Sequence, residues 1–123
     1  MAFSEERALR AFRSGVSTLL AKDADKVVGF VDYGAYRGDD LPFAGEVYAI
    51  YLPADYYGCG IGTRLMQTAL RDMPTFSTFV AWVLGGNARA IRFYESLGFR
   101  LDGMAQTLNL GGEATDLRMV LRR

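Results

Sequence analysis

The sequence predicts one α/β domain: a mixed β-sheet with helices packed against it. Three observations lead there. The chain has 123 residues, the size of a single domain spanning 1–123, which buries roughly two thirds of its unfolded surface. It is 50% hydrophobic and 13% aromatic, a composition that makes a packed core. Short β-rich runs and runs of helical spacing succeed one another, punctuated by Gly and Pro. Neither a linker, a low-complexity segment nor an internal repeat interrupts them.

The elements follow in chain order. Residues 4–14 read as a helix: Ser4 is a cap, Glu5 and Glu6 suit a first turn, Ala8, Leu9 and Phe12 share a face, and Gly15 ends it. Residues 16–21 read as a strand, 23–25 as a turn, and 26–36 as a second strand, forming a hairpin. Residues 37–43, with Gly38, Asp39, Asp40 and Pro42, are a polar loop. A strand over 46–52 stops at Pro53, which has no N–H for a ladder. From Ile61, the residues Leu65, Met66, Ala69, Leu70 and Met73 recur at helical spacing until Pro74. The apolar run 75–84 reads as a central strand buried on both faces. Asn87 caps a short helix carrying Ala90, Ile91, Phe93, Tyr94 and Leu97, and Gly98 closes it. Strands over 99–110 and 115–121 flank a turn at Gly111 and Gly112. The expected order is αβββαβαββ.

Composition excludes several functions. Fourteen basic residues balance fourteen acidic ones, which argues against non-specific nucleic-acid binding. The sequence contains no histidine, so a histidine base, a Ser-His-Asp triad and His-ligated zinc are ruled out. Cys59 is the only cysteine. It rules out an internal disulfide and fits a reducing, cytoplasmic compartment. No signal peptide is read at the N-terminus and no apolar stretch is long enough to span a membrane.

The chemistry gathers at Tyr57-Gly58-Cys59-Gly60-Ile61-Gly62, between a strand and a helix. The first N–H groups of a helix lack carbonyl partners and carry the positive end of the dipole. Glycine lets the backbone approach a ligand. An anion site, above all for phosphate, is expected, with a plain turn as the alternative. It is neither a P-loop nor the dinucleotide fingerprint, since both Gly-Lys-Ser/Thr and the final x-x-Gly are missing.

Two stretches together resemble the GCN5-related N-acetyltransferase (GNAT) family. Residues 46–66 are similar to its strand, Arg/Gln-x-x-Gly-x-Gly/Ala loop and helix; residues 82–99 are similar to its Asn-x-x-Ala-x-x-Phe-Tyr-x-x-x-Gly-Phe motif. With the flanking strands, the resemblance covers nearly the whole chain. It implies an acyl-CoA N-acyltransferase fold and acetyl-CoA as the acyl donor. The coenzyme's pyrophosphate would sit on main-chain N–H groups of Gly58, Cys59, Gly60, Ile61 and Gly62, with Thr63 at the helix start and Tyr57 before them. The pantetheine arm would pair with Ile50, Tyr51 and Leu52, in a gap opened by a bulge, against the strand 79–84. Asn87 and Phe93 would contact the coenzyme.

The resemblance also implies catalytic roles. Tyr94 aligns with a tyrosine that protonates the departing thiolate; otherwise it is a core tyrosine beside Phe93. Glu46 stands where many members keep a carboxylate that removes an ammonium proton through water; otherwise it is a solvated edge carboxylate. A base is chemically sensible, because an alkyl amine of pKa about 10.4 is protonated at neutral pH. Asn87 could serve as a helix cap alone. Arg64, Arg89 and Arg92 could reach phosphates or be merely solvated. Cys59 is not read as a nucleophile: it lies in the phosphate loop with no histidine to activate it.

Two departures stand out. Tyr57 replaces the motif's Arg or Gln. The usual first strand and helix have no room before residue 4. A start placed too late, a second copy covering the open sheet edge as a homodimer, or a degenerate coenzyme binder would each explain this. The expected function is acetyl transfer from acetyl-CoA to a primary amine of a small molecule or peptide, without nucleic acid, membrane or metal. The alternatives are a non-catalytic acyl-CoA-binding or regulatory module, and a purely structural domain.

Overall fold

A computed structural model of the chain describes residues 4–8, 15–109 and 111–123. The strands are β1 (Ser4–Ala8), β2 (Val16–Asp23), β3 (Lys26–Ala35), β4 (Ala44–Tyr51), β5 (Thr78–Leu84), β6 (Arg100–Asn109) and β7 (Glu113–Arg122). The α-helices are α1 (Ile61–Arg71) and α2 (Ala88–Ser96), and a 3-10 turn covers Ala54–Tyr56. All strands join one seven-stranded sheet in the order β1-β2-β3-β4-β5-β7-β6. Every neighbouring pair is antiparallel except β4 and β5, which run parallel.

The mixed sheet, both α-helices and the hairpins stand where the sequence places them, within a few residues at each end. The first element is a correction. Ser4–Ala8 is not the start of a helix but a strand, paired antiparallel with β2 from Ser4↔Lys22 to Ala8↔Thr18. Residues 9–14, the remainder of that expected helix, lie outside the described residues. The cap and first-turn signals there are local, and pairing with β2 overrides them. A strand's period of two explains the adjacent acids better. Glu5 meets α1, bonded to Arg64 and Thr68, while Glu6 pairs with Lys22. The outer edge of the sheet, which the sequence reading leaves uncovered, therefore carries a short strand.

The core lies between one sheet face and the helices. Leu19, Val31, Tyr33 and Val47 from the sheet meet Ile61, Leu65, Met66 and Ala69 from α1, with Tyr94 of α2 and Phe99 alongside. The stripe read on residues 61–73 is the face α1 buries. On β5, Phe79, Val80 and Ala81 are fully buried, in keeping with a strand covered on both faces.

The opposite sheet face sets buried polar groups beside apolar ones such as Val80 and Val120, and the loop 36–43 folds onto it. Arg118 on β7 is buried there, bonded to Asp102, to Asp40 and to the Tyr36 hydroxyl. Glu46 on β4 faces the same way, as its neighbour Val47 points to the core.

Candidate active site

The site begins where β4 leaves β5. The two strands pair over Ala44↔Thr78, Gly45↔Phe79, Glu46↔Val80 and Val47↔Ala81, and no further. At the same point the β3–β4 register shifts: Tyr33 faces Val47 but Asp32 faces Ala49, so Tyr48 is an extra residue. This bulge turns β4 away from its neighbour. Beyond it, residues 48–51 of β4 and 82–84 of β5 face each other without ladder bonds. The gap expected from the sequence motifs is present, with its bulge.

The glycine turn closes the far end of that gap. Gly58 and Gly60 have φ of 78° and 83°, values that only glycine adopts freely. Gly60 is the N-cap of α1 and contributes no side chain. Arg64 N–H reaches the Gly60 carbonyl. Among the described residues, none of the N–H groups from Gly58 to Thr63 donates to a main-chain carbonyl. Such a run of outward N–H groups on a helix axis is a cradle for an anion.

Helix α2 forms the opposite wall. The Asn87 side chain accepts from the Ala90 N–H, the cap its position predicts. A Cβ on Gly62 would stand 3.3 Å from the Phe93 ring, so a glycine there lets α1 and α2 approach closely. The result is a cleft of 580 Å³ lined by β4, the loop and α2. Of the residues expected to bind the coenzyme, Ile50, Tyr51, Leu52, Tyr57, Gly58, Gly60, Gly62, Thr63, Asn87 and Phe93 line it. Cys59 is exposed and Ile61 is fully buried, so neither side chain does.

Three lining residues were missed or undervalued in the sequence. Tyr56 carried no signal of its own, and Ala90, the alanine of the Asn-x-x-Ala motif, was read only as a core-facing helix residue. Arg89 was grouped with Arg64 and Arg92, and the structure separates them. Arg64 is ion-paired with Glu5, Arg92 is exposed outside the cleft, and Arg89 lines it. A signal existed: Arg89 precedes Phe93 by one helical turn, so the two share a face.

Tyr94 sits deeper. Its ring packs edge-on against Phe93 and Phe99, 5.4 Å from each centroid, and it is 6% exposed. Burial pushes its pKa up to about 12. The hydroxyl makes no hydrogen bond among the described residues. Tyr94 is not among the residues lining the cleft.

Glu46 is 2% exposed, far from a solvated edge carboxylate. Its Oε1 accepts from the Arg37 main-chain N–H at 3.0 Å and from Nε at 3.5 Å, and its Oε2 accepts from Nη2 at 2.9 Å. The Arg37 guanidinium also lies 4.3 Å from the Tyr48 ring centre. Glu46 thus fastens the start of the polar loop to the bulged strand.

Known proteins give this geometry a family. The model of the acetyltransferase (GNAT) family matches residues 2–99. The chain is 33% identical over 95 residues to the L-methionine sulfoximine/L-methionine sulfone acetyltransferase of Pseudomonas paraeruginosa, covering 74% of this chain and 55% of that protein. It is 33% identical over 89 residues to the peptidyl-lysine N-acetyltransferase YjaB of Escherichia coli, covering 72% of this chain and 52% of that protein. The chain therefore spans about half the length of the curated relatives it matches. A Bacillus anthracis structure solved in complex with acetyl coenzyme A has a TM-score of 0.76 at 18% identity, over 92% of this chain and 65% of that one. That likeness is one of fold. With the family model matched over most of its length, the chain belongs to the acetyltransferase (GNAT) family.

Proposed function

We propose that the chain is an acetyl-CoA-dependent N-acetyltransferase that passes the acetyl group directly to a primary amine. One observation carries the reading: the unpaired edge of β4, the free N–H groups of 58–63 and the N-terminal turn of α2 converge on a single cleft. A pyrophosphate fits the N–H cradle, and a pantetheine amide chain fits the unpaired edge at Ile50–Leu52. The thioester then points towards the fork past Val47.

The transfer forms a C–N bond and breaks the C–S bond. The attacking nitrogen must be neutral, and it ends two protons short of the ammonium. Glu46 is the proposed acceptor of the first, through water. A carboxylate has about four lone-pair positions, and Arg37 donates to three of them, which leaves one for a relay water. Tyr94 is the proposed donor facing the leaving sulfur. With its pKa at about 12 it stays protonated at neutral pH. A thiol has a pKa of about 8.5, so Tyr94 steadies the thiolate by a hydrogen bond, and the thiolate's lasting proton comes from the nitrogen.

The relatives act on the amines their names state, an amino-acid analogue and a peptidyl lysine. A small molecule or peptide amine is the proposed acceptor class here. Residence in the cytoplasm and a homodimer formed over an open sheet edge belong to the same proposal. Among the described residues no helix is long and apolar enough to cross a membrane.

Release of coenzyme A thiol, followed against a panel of amines and peptides, tests the reading. Tyr94→Phe should lower kcat by about tenfold or more, as for loss of a positioned acid, with little change in KM for acetyl-CoA. Glu46→Gln should lower kcat similarly and remove the acidic limb of the pH–rate profile. A second reading, a non-catalytic acyl-CoA-binding module, draws on Tyr94 lying off the cleft lining and Glu46 being tied to Arg37. Calorimetric binding of coenzyme A without turnover of any amine would favour it.

A further inference from the structure

Among the described residues, Arg89 is the one charged residue lining the cleft. Coenzyme A carries a pyrophosphate and a third phosphate, and the loop 57–63 offers them no charged side chain. Its N–H groups supply only partial charges. The Arg89 guanidinium lies 3.6 Å from the centre of the Tyr57 ring, a cation–π stack. Among the described residues it makes no ion pair or hydrogen bond with any protein group. Its donors are therefore open. Tyr57 is itself anchored: its N–H bonds the Ala54 carbonyl, closing the 3-10 turn ahead of the loop.

We propose that Arg89, held against Tyr57, is the cationic ligand of the donor's phosphate groups. This rests on the acetyl-CoA reading given above and adds to it the source of charge. The stack fixes a planar fork of donors beside the N–H cradle, so less freedom is lost when a phosphate arrives. Tyr57 acts as a positioning residue, through Arg89. The helix arginine and the loop tyrosine form one device across the cleft, joining the two sequence motifs.

Calorimetric titration of coenzyme A at low and high salt tests this, on the wild-type chain, Arg89→Gln, Arg89→Lys, Tyr57→Ala, Arg92→Gln and the double variant Tyr57→Ala/Arg89→Gln. Arg89→Gln should weaken binding by about tenfold, as for loss of a charged hydrogen bond, and flatten the dependence of Kd on salt. Arg89→Lys should fall between, keeping charge without the stack. Tyr57→Ala should weaken binding a few-fold alone and not at all once Arg89 is Gln. Arg92→Gln, three residues along the same helix and outside the cleft, should bind as wild type. Wild-type affinity and salt slope in Arg89→Gln would overturn the proposal, as would an equal loss in Arg92→Gln. Additive losses from Tyr57 and Arg89 would overturn the positioning role. A wild-type chain that bound no coenzyme A would instead overturn the donor reading itself.

Discussion

Tyr94 separates a chemical role from a structural one unusually well. Its hydroxyl bonds no protein group among the described residues, so Tyr94→Phe should leave stability near neutral pH almost unchanged. The alkaline range is different. The folded pKa is raised to about 12 from an unfolded value near 10. Below the unfolded value both states hold the proton and stability is intact. Between the two values the unfolded chain loses it while the folded chain keeps it, so stability falls as pH rises. Over two units the loss is roughly 2–3 kcal/mol. Urea melts from pH 9 to 11.5 should show this slope in wild type, and a smaller one in Tyr94→Phe. At this scale the sequence was uneven. Asn87 was legible because a cap acts over three residues. The burial of Glu46 was not, because its partner Arg37 comes from a loop whose path depends on the finished sheet. Arg118 lies in the strand read over 115–121, with nothing local to mark it as buried. Its burial requires Asp40 and Asp102 to arrive from elsewhere.

Among the elements, two loops make the sharpest predictions. Gly60→Val puts a β-branched side chain at a φ of 83°, a strain of about 1–3 kcal/mol. The added Cβ meets nothing within 4 Å, so the further effect falls on the ligand. Coenzyme A affinity should drop by more than the change in denaturant midpoint accounts for. The loop 36–43 is held by Arg118, whose fork joins Asp40, Asp102 and Tyr36. Burial pushes the Asp102 carboxyl up, but the Arg118 hydrogen bond, the Met104 N–H and the nearby arginine charges together outweigh it and hold the group below its usual range; the same guanidinium lowers Asp40. Depressed carboxylates contribute stability above their unfolded pKa, and that contribution is lost as pH falls through the folded values. Arg118→Ala should cost about 2–4 kcal/mol, somewhat below a fully buried pair because Asp40 is partly exposed. It should also open residues 37–43 to limited proteolysis and blunt the acid transition. Helix α2 was readable because its cap, apolar face and closing glycine are all local. Strand β1 was not, since pairing across the chain decides its form.

For the molecule as a whole, the sequence made the fold class and the binding cleft accessible, because each motif encodes its own turn and helix. Sheet order lay further off. That β7 inserts between β5 and β6 is a long-range choice with no local signal. The parallel contact of β4 with β5 rests on four residue pairs, while antiparallel ladders hold everything on either side. The chain is thus two antiparallel half-sheets, the meander β1–β4 and the set β5-β7-β6, meeting along a short seam that the cleft prolongs. A ligand lying in the gap would bridge both half-sheets. At a hundredfold excess over Kd, mass action contributes about 2.7 kcal/mol, a rise in Tm of roughly 10 °C for a domain of this size. Hydrogen exchange should slow on both banks of the gap, at residues 48–52 and 82–84, and not only in the glycine loop. Because the β4–β5 ladder stops at Val47↔Ala81, the mouth of the cleft is also where the sheet has fewest bonds to hold it together. A ligand bound there would strengthen the weld between the two half-sheets, and an empty cleft would leave it at its weakest.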